Sequence, residues 1–118
     1  MELRIKDDGD VLFVTLAGGY SLDATNSSPL RAEFEKRFKK GRGVILSIES
    51  VQSIDSSGLG ALVAMLKQVR KSGERLALIG VNPQVYSVLD MIRLTTVFEI
   101  FPDEAAARGA IAALAAAT

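Results

Sequence analysis

Neither cysteine nor histidine occurs in the 118 residues. Without cysteine there is no disulfide, no thiolate nucleophile and no cysteine-held metal. Without histidine the commonest general base and metal ligand is missing too. The sequence therefore predicts no catalytic residues, no metal site and no cofactor. Neither sign of charge is in excess, with 14 Lys+Arg against 14 Asp+Glu. That balance predicts no direct nucleic-acid partner and no membrane partner. No apolar run approaches the roughly 20 residues of a spanning helix. The segment Met1-Glu2-Leu3-Arg4-Ile5-Lys6-Asp7-Asp8 has no apolar signal core. The expectation is a cytoplasmic protein. What remains is a chain 48% hydrophobic and 24% charged, the composition of a folded domain. Its length is sufficient for one core, so a single domain over 1–118 is expected.

Hydrophobic periodicity divides the chain into alternating elements. Leu3 and Ile5 alternate with Arg4 and Lys6 as in an edge strand. Asp8-Gly9-Asp10 reads as a turn, and Val11-Leu12-Phe13-Val14-Thr15-Leu16 as a more buried strand. Ser28-Pro29 reads as the cap and first position of a helix on which Leu30, Phe34 and Phe38 share a face, ended near Gly41. Residues 43–48 form a third strand. A helix from about Ser57 carries Leu59, Leu62, Val63, Leu66 and Val69 on one face and stops at Ser72-Gly73. A strand at 75–80, a short helix opened by Pro83, a strand at 97–101 and an alanine-rich helix from 102–104 to the carboxyl end complete the chain. The order β-β-α-β-α-β-α-β-α predicts an α/β fold: a mixed β-sheet of about five strands with about four helices.

The stretch Val51-Gln52-Ser53-Ile54-Asp55-Ser56-Ser57-Gly58-Leu59-Gly60 lies where strand pattern gives way to helix pattern. Helix starts leave backbone N–H groups unpaired at the positive end of the helix dipole. A serine there caps the helix or carries a phosphate that those amides tolerate. Ser57 is read as part of the cap. Gly58 and Gly60 are poor helix residues, explained either by tight packing or, on the resemblance given below, by close approach of the kinase it implies. Asp55 either bonds nearby amides or orients the Ser56 hydroxyl. Asp23, in a polar loop, is a turn former or a member of the same surface. Met65, with Gly58 and Ala61, forms a small apolar stripe, read as core margin or docking surface. Lys67, Arg70 and Lys71 read as a solvated helix face.

These residues carry a resemblance. Ile54-Asp55-Ser56-Ser57-Gly58-Leu59-Gly60 between a hydrophobic strand and an amphipathic helix, followed by Ser72-Gly73 and Arg75-Leu76-Ala77-Leu78-Ile79-Gly80-Val81, resembles the STAS domain. Asp23 before Leu30-Arg31, Val88-Leu89-Asp90-Met91, and Phe98-Glu99-Ile100-Phe101 extend the likeness to the bacterial anti-sigma factor antagonists. The resemblance implies a STAS fold and a phosphorylation site at Ser56. It also implies that the unphosphorylated protein binds an anti-sigma factor, itself the serine protein kinase, and so frees the sigma factor. A PP2C-type phosphatase reverses the modification. The partner surface it implies comprises Asp23, Asp55, Ser56, Ser57, Gly58, Leu59, Gly60 and Met65, on a monomer or weak homodimer.

Two positions depart from the family pattern. Gly19-Tyr20-Ser21-Leu22-Asp23 stands where the family writes Gly-Glu-Leu/Ile-Asp, and Leu46-Ser47-Ile48 stands where it often writes Leu-Asp-Leu. The same fold also serves as a STAS subunit of an ABC-type lipid-transport complex docking on its ATPase, or as a stressosome-like scaffold component. Both stay open as alternatives at this stage.

Overall fold

The computed structural model describes residues 1–39 and 41–117. β1 (Glu2–Asp8) and β2 (Val11–Ala17) form an antiparallel hairpin. β3 (Ser21–Leu22) leads into α1 (Ser27–Arg37), then β4 (Gly43–Ser47), β5 (Ser53–Ile54) and α2 (Ser56–Lys71). β6 (Leu76–Ile79), α3 (Pro83–Met91), a 3-10 turn (Leu94–Thr96), β7 (Glu99–Ile100) and α4 (Glu104–Ala117) follow. The main sheet has five strands in the order β1-β2-β4-β6-β7, with every pair after the hairpin parallel. Among the described residues, a five-stranded mixed main sheet with four α-helices in an α/β arrangement matches the expected fold.

The strand alternation sorts side chains between two faces. Leu12, Val14 and Leu16 of β2, Val44 and Leu46 of β4, and Leu76 and Leu78 of β6 point to one side. They meet Leu30 and Phe34 of α1, Leu62, Leu66 and Val69 of α2, and Val85 and Leu89 of α3. Val11, Ile45, Ala77 and Ile79 point to the other side, where Ala107 and Ile111 of α4 cover them. Gly43 lets α4 come close: a Cβ there would lie 2.8 Å from Ile111 Cγ2. α4 is also held by charge. Arg75 pairs with Glu99 and donates to the Ala110 carbonyl at 3.1 Å, and Arg108 pairs with Asp8 and Glu104. The expected end of this helix, Thr118, lies outside the described residues.

Several boundaries differ from the sequence expectation. α1 begins at Ser27 behind Asn26, so Ser28 is inside the helix rather than its cap. The last strand is only Glu99–Ile100, because the amides of Val97 and Phe98 are taken by the Leu94 carbonyl in the preceding turn, at 3.0 and 2.8 Å. α2 ends where expected: Gly73, at φ 86°, closes it by bonding the Arg70 carbonyl at 2.9 Å. The added feature is a second, two-stranded sheet. β3 pairs with β5 in parallel, Ser21 opposite Ser53 and Leu22 opposite Ile54. Through it the loop of residues 21–26 is clamped beside the start of α2.

Candidate functional site

Asp55 holds the site together. Its backbone is extended (φ −109°, ψ −174°), the conformation of a capping residue, and its carboxylate accepts from the Gly58 amide at 2.9 Å. The other carboxylate oxygen accepts from the Ala24 amide at 3.2 Å. One side chain thus caps α2 and ties the neighbouring loop to it. Ser57, expected to cap the helix, does not: it is the second residue inside α2, with helical neighbours on both sides. A cap must stand outside the helix and reach the third helical amide, and Asp55 occupies that place.

The loop beside it is internally bonded. Asp23 accepts from the hydroxyls of Ser21 and Thr25, each at 2.5 Å, and from the Thr25 amide at 2.9 Å. Asn26 accepts from the Asp23 amide at 3.0 Å and donates to the Ser21 carbonyl at 2.8 Å. These hydrogen bonds, the Ser21 hydroxyl first, hold the Asp23 carboxyl below its ordinary pKa of 3.8. Tyr20, at the start of this loop, is 70% exposed.

Ser56 is the first residue of α2, and both it and Ser57 are exposed. Among the described residues neither hydroxyl makes a hydrogen bond. Ser56 lies at the rim of a shallow groove of about 580 Å³ between α2, α1 and the turn after α3. Leu59, Val63, Ile92 and Leu94 make it apolar, Arg31 and Lys67 add positive charge, and no acidic residue lines it. Ser56, Leu59 and Gly60 line this groove, Ser57 lines a depression beside it, and the Asp23 loop is tied to the same helix start through the Asp55–Ala24 bond.

Two expected members of the partner surface are not on it. Met65 is 1% exposed and packs in the main core. Gly58 is buried, and a Cβ there would lie 2.2 Å from the Leu22 carbonyl oxygen and 2.8 Å from Ile54 Cγ1. Its glycine is a packing requirement of α2 against β3 and β5. Gly60 is different: it is exposed, and a Cβ there would have no neighbour within 4 Å. A glycine inside a helix costs about 1 kcal/mol relative to alanine, and packing does not explain this one. The groove residues Arg31, Val63, Lys67, Ile92 and Leu94 carry no local motif; they meet only through the packing of α1, α2 and the turn after α3. Arg31 alone had a signal, as part of Leu30-Arg31.

The arrangement provides a capped helix start, two accessible hydroxyls and an adjacent groove. Among the described residues no cluster of three or more His, Cys, Asp or Glu could hold a metal ion. None of their helices is long and apolar enough to cross a membrane.

A model of the STAS domain family matches residues 2–107. The chain belongs to that family. It is similar over 106 residues, at 29% identity, to the anti-sigma F factor antagonist of Paenibacillus polymyxa, covering 88% of this chain and 89% of that one. The anti-sigma-B factor antagonist of Bacillus subtilis is 25% identical over 100 residues, 85% of this chain and 90% of the other. Among solved structures, a Thermotoga maritima protein described as a candidate anti-sigma factor antagonist superposes with a TM-score of 0.81 at 28% identity, covering 92% and 93% of the two chains. An anti-sigma-factor antagonist (STAS) domain protein of Planctomyces limnophilus shares the fold, with the same TM-score at 20% identity over 93% and 97% of the chains. By name these relatives are regulators rather than enzymes.

Proposed function

We propose that this chain is an anti-sigma factor antagonist whose binding is switched by phosphorylation of Ser56. Unphosphorylated, it binds an anti-sigma factor that is also its serine kinase, and the sigma factor is released. Phosphorylated, it lets go until a PP2C-type phosphatase restores the hydroxyl. One domain, residues 1–118, carries both states.

The observation that carries this reading is the division of labour between Asp55 and Ser56. Asp55 does the structural work of the helix start, with bonds to Gly58 and Ala24. The Ser56 hydroxyl next to it is exposed and has no bond to give up among the described residues. A phosphoryl group adds about −1.5 to −2 charges and three acceptor oxygens. Placed on Ser56, it alters the surface offered to a partner without removing any contact that holds the fold. The names of the two relatives described above from Paenibacillus polymyxa and Bacillus subtilis, both anti-sigma factor antagonists matched along most of their length, support this kind of partner. The choice of Ser56 over Ser57 rests on the family pattern.

The test is incubation with the cognate anti-sigma kinase and ATP, followed by peptide mass mapping. Phosphate on Ser56, absent from Ser56→Ala and retained by Ser57→Ala, is expected. Phosphate on Ser57, elsewhere, or nowhere contradicts the proposal.

A further inference from the structure

We propose that the phosphoryl group on Ser56 is held within the molecule by Arg31 of α1, which reaches it across the open surface of Gly60. This rests on Ser56 being the modified residue. It adds a receiver for the phosphate and a role for a glycine that packing leaves unexplained.

Arg31 and Ser56 line the same groove, and Gly60 lies with them. A second, smaller depression beside Ser57 is also lined by Arg31 and Gly60. Arg31 and Gly60 thus border both depressions, one together with Ser56 and the other with Ser57. Gly60 is one turn beyond Ser56, about 6 Å along the axis. That gap suits a phosphoserine approached by a long arginine side chain. Any larger residue at position 60 would project into it.

Arg31 is available for this. Its ion pair is with Glu35, Nε to Oε1 at 3.2 Å, with both side chains more than half exposed. An exposed pair one helical turn apart is weak. A phosphate dianion is a stronger acceptor and takes the guanidinium as a two-pronged donor. Among the described residues no carboxylate lines the groove itself; Glu35 is the competitor for Arg31, and Asp55, next to Ser56, faces the phosphate from the helix cap and is the same in every variant compared below. Lys67, the other cation there, is on the same helix as Ser56 but roughly 16 Å farther along the axis. It is too distant to share the phosphate.

The consequence is a change larger than added charge. Phosphorylation would draw Arg31 from Glu35 to the mouth of the groove, neutralising part of its positive field and narrowing its open end together. A partner meeting the phosphorylated protein would find both the hydroxyl and the arginine occupied.

The test uses full-length protein with phosphoserine installed genetically at position 56, so that its outcome does not depend on any kinase. The second ionisation of the phosphate is followed by 31P NMR as a function of pH. A neighbouring guanidinium favours the dianion and lowers this pKa below the value of about 6 for free phosphoserine. Arg31→Ala is expected to raise it by about half a pH unit or more, with Arg31→Lys intermediate and Lys67→Ala without effect. Gly60→Leu, which leaves Arg31 in place but fills the gap, is expected to raise it as well. An unchanged pKa in Arg31→Ala, an equal rise in Lys67→Ala, or a pKa left low by Gly60→Leu each overturns the proposal. Failure of kinase mapping at Ser56, with this titration behaving as expected, would instead remove the proposed function and leave the Arg31 contact standing.

Discussion

Gly58 and Gly60, two residues apart in one helix turn, answer to different constraints. Gly58 faces the Leu22 carbonyl at a distance that leaves no room for a methyl group. Gly58→Ala gains helix propensity but must move backbone, and overpacking of this kind costs about 1–3 kcal/mol. Gly60→Ala meets nothing, so it is expected to stabilise the unphosphorylated protein by up to about 1 kcal/mol. Urea unfolding of the two variants checks the contrast; equal effects would mean that the two glycines are not distinguished by packing. Asp23 makes a second case. Its carboxylate is favoured by the Ser21 hydroxyl and then by Thr25, which depresses its folded pKa below 3.8. A depressed folded pKa gives a contribution to stability that is complete above the unfolded value. It is lost as pH falls through the folded one, hence in the acid range below about 3.8. Ser21→Ala should bring the Asp23 pKa up toward 3.8 in a carboxyl 13C NMR titration, and an unmoved value would show that the serine does not set it.

Elements were legible in proportion to their length. The apolar runs at 11–16 and 43–48 declare β2 and β4, and a run of sixteen helical residues declares α2. β3 and β5 are two residues each, too short for any period, and they pair across thirty intervening positions. That pairing, invisible locally, is what sets the Asp23 loop beside Ser56. The cap of α2 was ambiguous for another reason: Asp and Ser are equally good capping residues, and only the backbone conformation at Asp55 decides between them. The stripe Gly58, Ala61, Met65 proved to be buried because α2 packs against α1 and β3 as well as the sheet, so its buried face is wider than one row of large apolar residues. On the opposite layer, α4 makes one especially close fit, against Gly43. Gly43→Ala should destabilise by about 1–3 kcal/mol through Ile111. Ile111→Ala alone should cost about 2–4 kcal/mol. Their combination should fall short of additivity by about 0.5 kcal/mol or more, because the second change removes the clash made by the first. Strict additivity in urea unfolding would contradict the placement of α4 on Gly43.

The whole molecule separates what holds it together from what it presents. Its two cores lie on either face of the sheet, and Ser56 sits outside both, at the rim where β3, β5 and the start of α2 meet, while Leu59, Val63 and Leu94 of the groove pack against the larger core. The fold was accessible from the sequence through hydrophobic periodicity along the chain, and the position of Ser56 through one motif between a strand and a helix. The groove was not, since Arg31, Leu59, Val63, Ile92 and Leu94 come from three separate elements. This separation is the physical basis for a switch: a change at the rim alters binding while the fold persists. Accordingly Ser56→Asp should leave the melting temperature within about 2 °C of the parent, as surface changes away from buried contacts do. The most direct test of the central claim is calorimetric titration of the cognate anti-sigma factor, in the absence of ATP, into unphosphorylated protein and into protein fully phosphorylated at Ser56. The account predicts that phosphorylation raises Kd at least tenfold, or about 1.4 kcal/mol, with no change in melting behaviour. Equal affinities for the two forms would contradict it.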